Sequence, residues 1–290
     1  MSAHNSRSIL IIGLGLIGGS LARAIQAKGY PAKIYAYDRN RSALADALEQ
    51  GWIDVAQPSL AKAIPQADIV VWAVPVNTIC QGLTEYAAYF RPGQIVTDVG
   101  SVKRRIFETA CSLPPGVHFI GGHPMAGKET DGIETSDPQL FVGRPWVLVP
   151  QTEQYSLEYA TALADLENLI SMIGAQPIRM SATEHDKSVA LLSHLPQLVS
   201  ACLMNTAGEL VSELPTGYLL AAGGFRDTTR IAGSNPEMWR DIYLANKEEL
   251  LQVIACYELW LTKTKDLLEN HNEIAILNLL NNARQNREHL

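Results

Sequence analysis

The sequence predicts an α/β domain followed by an all-α domain, and three observations carry this. Short, β-rich apolar runs alternate with helix-period segments up to about residue 180. A glycine pattern, Gly13-Leu14-Gly15-Leu16-Ile17-Gly18, stands between the first apolar run and the first helix. Beyond Ser181 the apolar positions recur with the helical period and give no strand signal. The expected organisation is a mostly parallel sheet with crossover helices over residues 1–180, then a helical domain over 181–290.

The first half reads as strands at Ser8–Ile12, Lys33–Tyr37, Asp68–Val74, Gln94–Val99, Val117–Gly121 and Trp146–Val149. Helices are expected at Gly19–Ala27, Arg41–Gln50 and Val102–Ala110, and another near Leu157–Ile173 precedes a last strand at Gln176–Met180. In the second half, Glu184–Val211, Pro236–Leu268 and Glu273–Arg287 carry helical patterns. The 290 residues are 47% hydrophobic and 18% charged, enough to build a sizeable core. A net charge of −7 argues against nucleic acid as a partner, because phosphate backbones need clustered cations. It leaves room for a small anionic ligand.

Cys80, Cys111, Cys202 and Cys256 lie far apart without CxxC spacing, and the seven histidines form no zinc pattern. Reduced, mostly buried thiols of a cytoplasmic protein are expected, with no metal. Ile9 to Leu21 resembles a secretory leader ahead of Ala22-Arg23-Ala24, but four glycines interrupt its apolar run. No stretch reaches the length of about 18–20 apolar residues that a membrane span needs.

The glycine pattern has a physical reading. Gly13 permits a tight turn, Gly15 lets backbone approach a pyrophosphate, and Gly18 lets helix pack on strand. Leu16 and Ile17 then open a helix whose N–H groups and dipole face the phosphates. Asp38 ends the second strand, where a carboxylate accepts hydrogen bonds from an adenosine ribose and repels a 2′-phosphate. NAD is therefore expected over NADP, although Arg39 and Arg41 offer a phosphate partner. Val74, Pro75 and Ser101 fall at carboxyl ends of strands, where open α/β sheets bind ligands. Ser101 can also serve simply as a helix N-cap.

His123 follows a strand at the same sheet edge, among Gly121, Gly122 and Gly127. An imidazole there can take an alcohol proton while hydride leaves for nicotinamide, and the glycines suggest clearance for two ligands. In the helical half, Pro196 should kink its helix. His194 and Gln197 share a face, while His185, nine residues before His194, points the opposite way. His194 is thus the site candidate, or else a satisfied interface histidine, and His185 the surface one. Arg226 and Arg230 can each bind a carboxylate or pair with Asp227 or Asp186, and residue chemistry alone does not rank them.

GLGLIGGS, VTDVGSVK, IGGHPMAG, EHDKSVALLSHLP and GFRDTTRIAGSNPEMW occur together and in order. Over roughly residues 8–285 the chain resembles the TyrA family, the prephenate and arogenate (cyclohexadienyl) dehydrogenases of tyrosine synthesis. The resemblance implies a Rossmann-type NAD(P) domain and a helical domain that forms a homodimer. It also implies oxidative decarboxylation of prephenate to 4-hydroxyphenylpyruvate, or of arogenate to tyrosine. His123 matches the catalytic histidine at the C4 hydroxyl, Ser101 a serine between it and the nicotinamide, and Arg230 a carboxylate-binding arginine. His194 matches a histidine lining the site, Glu129 and Asp186 acidic residues of a gating network, and Trp239 an aromatic near the substrate.

Two positions depart from that pattern. Gln197 stands where some members have a second histidine at the substrate side chain, so substrate preference is open. Lys128 replaces a common threonine and reads as solvated. The helical half also holds Lys187, where β-hydroxyacid dehydrogenases use a lysine, but its EHD and SHLP surroundings fit those enzymes poorly. A non-catalytic NAD-sensing protein would have no need of His123, His194 and Arg230. The resemblance leaves no length for a fused mutase or an ACT domain, so tyrosine inhibition is expected to compete at the site. Asp38 yields a direct prediction: kcat/KM is higher with NAD than with NADP, and the reverse order contradicts its role.

Overall fold

Strands and helices alternate in the computed structural model, which describes residues 7–128, 130–151, 156–214 and 216–288. In chain order they are β1 (Arg7–Ile12), α1 (Leu16–Ala27), β2 (Ala32–Tyr37), α2 (Arg41–Glu49), β3 (Val55–Ala56) and α3 (Leu60–Ala63). Next come β4 (Ile69–Trp72), α4 (Val76–Glu85), β5 (Ile95–Asp98), α5 (Arg104–Ala110), β6 (His118–Pro124) and β7 (Pro145–Pro150). Then follow α6 (Leu157–Met172), β8 (Gln176–Arg179), α7 (Ala182–Val189), α8 (Leu195–Leu210) and α9 (Gly223–Thr229). Last are α10 (Pro236–Ala245), α11 (Lys247–Glu269) and α12 (Glu273–Glu288).

Among the described residues eight strands form one sheet, in the order β3-β2-β1-β4-β5-β6-β7-β8. Strands β1 to β6 run parallel, as expected, while β7 is antiparallel to β6 and β8 is parallel to β7. The order 3-2-1-4-5-6 is that of a Rossmann fold, with its ligand crevice at the carboxyl ends of the strands. Continuous apolar runs such as Ile9–Ile12 suit central strands covered on both faces, and these four residues are buried. Helices α1, α2 and α6 pack on one face, and α3, α4 and α5 on the other.

Several boundaries differ from the sequence reading, each for a physical reason. Strand β6 continues past Gly121 because β7 pairs with it antiparallel, His123 opposite Val147. His123 is therefore a strand residue, not a loop residue after a strand. Helix α5 begins at Arg104 and not at Val102, so Ser101 is not its N-cap. The long patterns over 184–211 and 236–268 are each broken. A π-helical turn, Ala190–His194, joins α7 to α8. Buried Asn246 separates α10 from α11, with its amide hydrogen-bonded to Asp186 O at 2.8 Å. Only Cys80 is buried; Cys111, Cys202 and Cys256 are exposed, against the expectation of mostly buried thiols, because Cys111 follows the end of α5 and the other two lie on open faces of α8 and α11.

Glycine makes two close approaches possible. A Cβ at Gly18 would stand 1.9 Å from Gly13 O, so α1 could not sit on its loop. At Gly122 it would stand 2.4 Å from Asp98 O, so β5 and β6 could not approach. Clearance at Gly122 thus serves protein packing, and the expectation of room for ligands does not hold there.

Behind Gly122 lies a buried ion pair. Lys103 Nζ contacts Asp98 Oδ2 and donates to Gly122 O at 2.6 Å. Asp98 accepts in turn from Gly100 N at 2.8 Å and Gly122 N at 3.1 Å. Both side chains are 0–1% exposed, so removing one partner strands a charge in the core. Lys103→Met should lower stability by about 3–5 kcal/mol, and the double variant with Asp98→Asn should recover part of it. A thermal melt of Lys103→Met that overlays the wild type would contradict this.

Candidate active site

A cleft of about 550 Å³ opens at the carboxyl ends of β1, β4, β5 and β6, between the sheet and the helical half. Gly15, Leu16, Ile17, Val74, Pro75, Ser101 and His123 line it from the sheet side; His194, Arg230 and Trp239 line it from the helices. The structure thus brings together most of the residues expected from the sequence.

The glycine loop fits a dinucleotide. Gly13 has φ +98°, which favours glycine, and its N–H donates to Tyr37 O at 2.8 Å. Nothing lies within 4 Å of a Cβ built on Gly15, which faces the cleft. Helix α1 starts there with no side-chain cap, leaving its first N–H groups for an anion. Asp38 sits at the end of β2, outside the cleft lining, and accepts from Leu14 N at 2.6 Å and Asn40 N at 2.7 Å. Each carboxylate oxygen keeps a second lone pair for a ribose hydroxyl. Arg39 is exposed beside it.

His123 is half-buried, and its ring is backed by the helical half. Its Nδ1 lies 2.8 Å from His185 Nε2, and His185 Nδ1 lies 2.7 Å from Asp186 Oδ1. Asp186 also accepts the backbone N–H of Lys103 at 2.7 Å and of Arg104 at 2.9 Å. Its other close cation is the Arg104 guanidinium at 3.6 Å, which also holds Glu249 at 3.1 Å. The expectation of a surface His185 is therefore overturned: its side chain is 0% exposed. Helix α7 is packed between α5 and α11, which leaves it no free side there, and the π-helical turn breaks the regular rotation between His185 and His194.

The electrostatics favour neutral imidazoles. Burial, then His185 and Lys103, hold the His123 pKa well below the ordinary histidine value. Burial also lowers His185, against the opposing hydrogen bond from Asp186. It pushes His194 down to about 4. For Asp186 burial acts upward, but hydrogen bonds from His185, Arg104 and Lys103 outweigh it and keep the carboxyl below its usual range.

Two buried donors at the cleft have no protein partner among the described residues, His194 Nε2 and Trp239 Nε1. Asn246 Nδ2 approaches His194 Nδ1 at 3.3 Å, which makes Nδ1 the acceptor and Nε2 the N–H. An unpaired buried donor costs about 1–3 kcal/mol, so this pair suits an acceptor on a ligand.

Other expected residues sit elsewhere. Asp186 is buried beneath His185 and supports it, away from any gate or substrate surface. Gln197 is buried, accepts from the Tyr243 hydroxyl and does not line the cleft. Lys128 reaches Asp137 at 3.3 Å and lines the cleft mouth. Glu129 lies outside the described residues. Lys187 is exposed and away from the cleft. Arg226 donates to Ala221 O at 2.9 Å, while Arg230 faces the cleft. Sequence reasoning gave no supporting role to Asp98, Lys103, His185 or Asn246. The strings VTDVGSVK and EHDK contain the first three, yet nothing local marks them as neighbours.

Residues 21–179 match the family model "Prephenate dehydrogenase, nucleotide-binding domain", and residues 181–282 match "Prephenate dehydrogenase, dimerization domain". The prephenate dehydrogenase of Bacillus subtilis is 38% identical over 84% of this chain, a match spanning 65% of that relative's length. A crystal structure of prephenate dehydrogenase from A. aeolicus, in complex with hydroxyphenyl propionate and NAD+, superposes with TM-score 0.89 at 31% identity and covers 99% of both chains. Synechocystis arogenate dehydrogenase gives TM-score 0.82 at 34% identity, covering 97% of this chain and 99% of its own. Two matching domain models and a common fold over 99% of both chains agree: the chain belongs to the prephenate dehydrogenase family.

Proposed function

We propose that the chain catalyses the NAD-dependent oxidative decarboxylation of prephenate to 4-hydroxyphenylpyruvate in tyrosine biosynthesis. The observation that carries this is the placement of His123 in one cleft with the glycine cradle, Ser101 and Arg230. When bound, the nicotinamide accepts the hydride from the ring carbon that bears the hydroxyl. His123 takes the hydroxyl proton, Ser101 orients that hydroxyl, and loss of the ring carboxylate as CO2 makes the ring aromatic. Arg230 holds a substrate carboxylate, and the N–H groups of His194 and Trp239 complete an acceptor site beside it. A neutral His123 suits this task, since a base already protonated cannot accept a proton.

Prephenate is preferred over arogenate because the 38% identical relative is a prephenate dehydrogenase. Gln197, the position that raised the question, is turned toward Tyr243 and away from the cleft lining.

In this reading residues 1–180 bind the cofactor, and residues 181–290 bind substrate and a second copy of the chain. The helical half leaves large apolar side chains bare, among them Leu259 at 69%, Trp260 at 53% and Leu277 at 60% exposure. A patch of that kind marks an interface, and a homodimer covers it. All four cysteines are free, as a reducing cytoplasm permits. No helix among the described residues is long and apolar enough to cross a membrane.

NADH formation with prephenate tests the assignment, and no NADH with either prephenate or arogenate would sink it. His123→Asn should lower kcat by about 10²–10⁴ while NAD affinity is unchanged, and Arg230→Gln should mainly raise KM. Unchanged turnover in His123→Asn would remove it from the chemistry. Sedimentation should give a dimer and not the 31.7 kDa monomer; a monomer at working concentration contradicts the interface.

A further inference from the structure

The row Asp186–His185–His123 runs from the buried start of α5 to the cleft, and its donors and acceptors are determined at each step. Asp186 is ionised, so it only accepts, and His185 Nδ1 must carry the hydrogen of the 2.7 Å contact. A neutral His185 then presents a bare Nε2. The 2.8 Å contact requires His123 to donate from Nδ1. This leaves His123 Nε2 as a lone pair.

We infer that His185 is the resting place of the proton that His123 removes from the substrate, and so a positioning and relay residue for the reaction. This rests on His123 being the base. The steps balance. The substrate O–H bond breaks and His123 Nε2–H forms, while the O–H electron pair becomes the C=O bond of the ring carbon that gives up its hydride to the nicotinamide. The His123 Nδ1–H bond breaks and His185 Nε2–H forms. His123 returns to neutral in its other tautomer, and the positive charge lies on His185 against the Asp186 carboxylate until CO2 leaves. The C–CO2 electron pair then runs through the ring to that oxygen, which takes a proton back from His123 Nε2–H while His185 Nε2–H restores His123 Nδ1–H.

Geometry and charge both favour that destination. His123 is faced by Lys103, His194 and His185, which all disfavour a positive ring. His185 is faced by Asp186 and Asp98 as well as Lys103, and the two carboxylates favour one. The His185 ring is 0% exposed and Asp186 1%, so no water competes for the proton. Asp186 is itself anchored by the N–H groups of Lys103 and Arg104, which fixes α7 against the sheet domain.

The test is His185→Gln. Its side-chain oxygen can accept from His123 Nδ1–H and hold the ring, but it cannot take a proton. The added proton must then stay on His123, where it binds more weakly. Two changes are expected together: kcat falls by about 10²-fold, and the acid limb of the kcat/KM profile moves about one pH unit or more lower. An acid limb that stays in place overturns the relay, whatever happens to kcat, because a purely structural loss would not move it. Should the variant not fold, ring 15N spectra of the wild-type protein decide. They should show Nδ1–H on both rings and, on acidification, His185 protonating before His123. A hydrogen on His123 Nε2 at neutral pH, or the opposite order, contradicts the relay. If His123→Asn loses turnover while the His185→Gln limb stays, only the relay falls. If His123→Asn keeps turnover, the base assignment falls first.

Discussion

The Asp186 carboxylate is the contact on which the site depends. It belongs to α7 of the helical half, yet it accepts two backbone N–H groups where α5 of the sheet domain begins. A carboxylate buried this deeply is tolerated only when hydrogen bonds and positive charge meet both oxygens. Asp186 has both, from the two N–H groups, His185 and the Arg104 guanidinium. One side chain thereby sets how α7 lies on the sheet, where His185 stands and how His123 is turned. Removing the charge would leave several donors without an acceptor at once, so the contact works as a unit.

The charges around it are arranged to stay local. Lys103 is spent on Asp98 and on Gly122 O, next to His123 in β6. Its positive charge still reaches His123 and helps hold that ring neutral. On the helical side, Asn246 interrupts a long helix so that its amide can meet Asp186 O and His194 Nδ1. The break sets Asn246 against His194 Nδ1, which leaves the ring hydrogen on Nε2. Both halves thus supply polar groups already oriented before any ligand arrives, which is how a site lowers a barrier without reorganising.

What the sequence made legible was local chemistry. Gly13, Gly15 and Gly18 act at short range, so their spacing already describes the loop. Apolar runs such as Ile9–Ile12 are buried because the strand is central, and composition shows that directly. The misplaced features all depend on a distant partner. The extension of β6 through His123 needs β7, and the late start of α5 needs Asp186. Helical geometry put His185 on the wrong side because it assumes a uniform helix, and nothing local announces a π-helical turn. Gln197 was read as a substrate contact from its motif position, while Tyr243, 46 residues on, claims its side chain.

The central claim is that His123, held by His185 and Asp186, meets the ring hydroxyl in a cleft shared with the cofactor. The most direct measurement is a crystal structure of the protein with NAD+ and the phenolic product, 4-hydroxyphenylpyruvate. The account predicts the phenol oxygen within about 2.6–3.2 Å of His123 Nε2, with the His123–His185–Asp186 contacts kept. A product bound with its phenol away from His123, or a His123 ring released from His185, would contradict it.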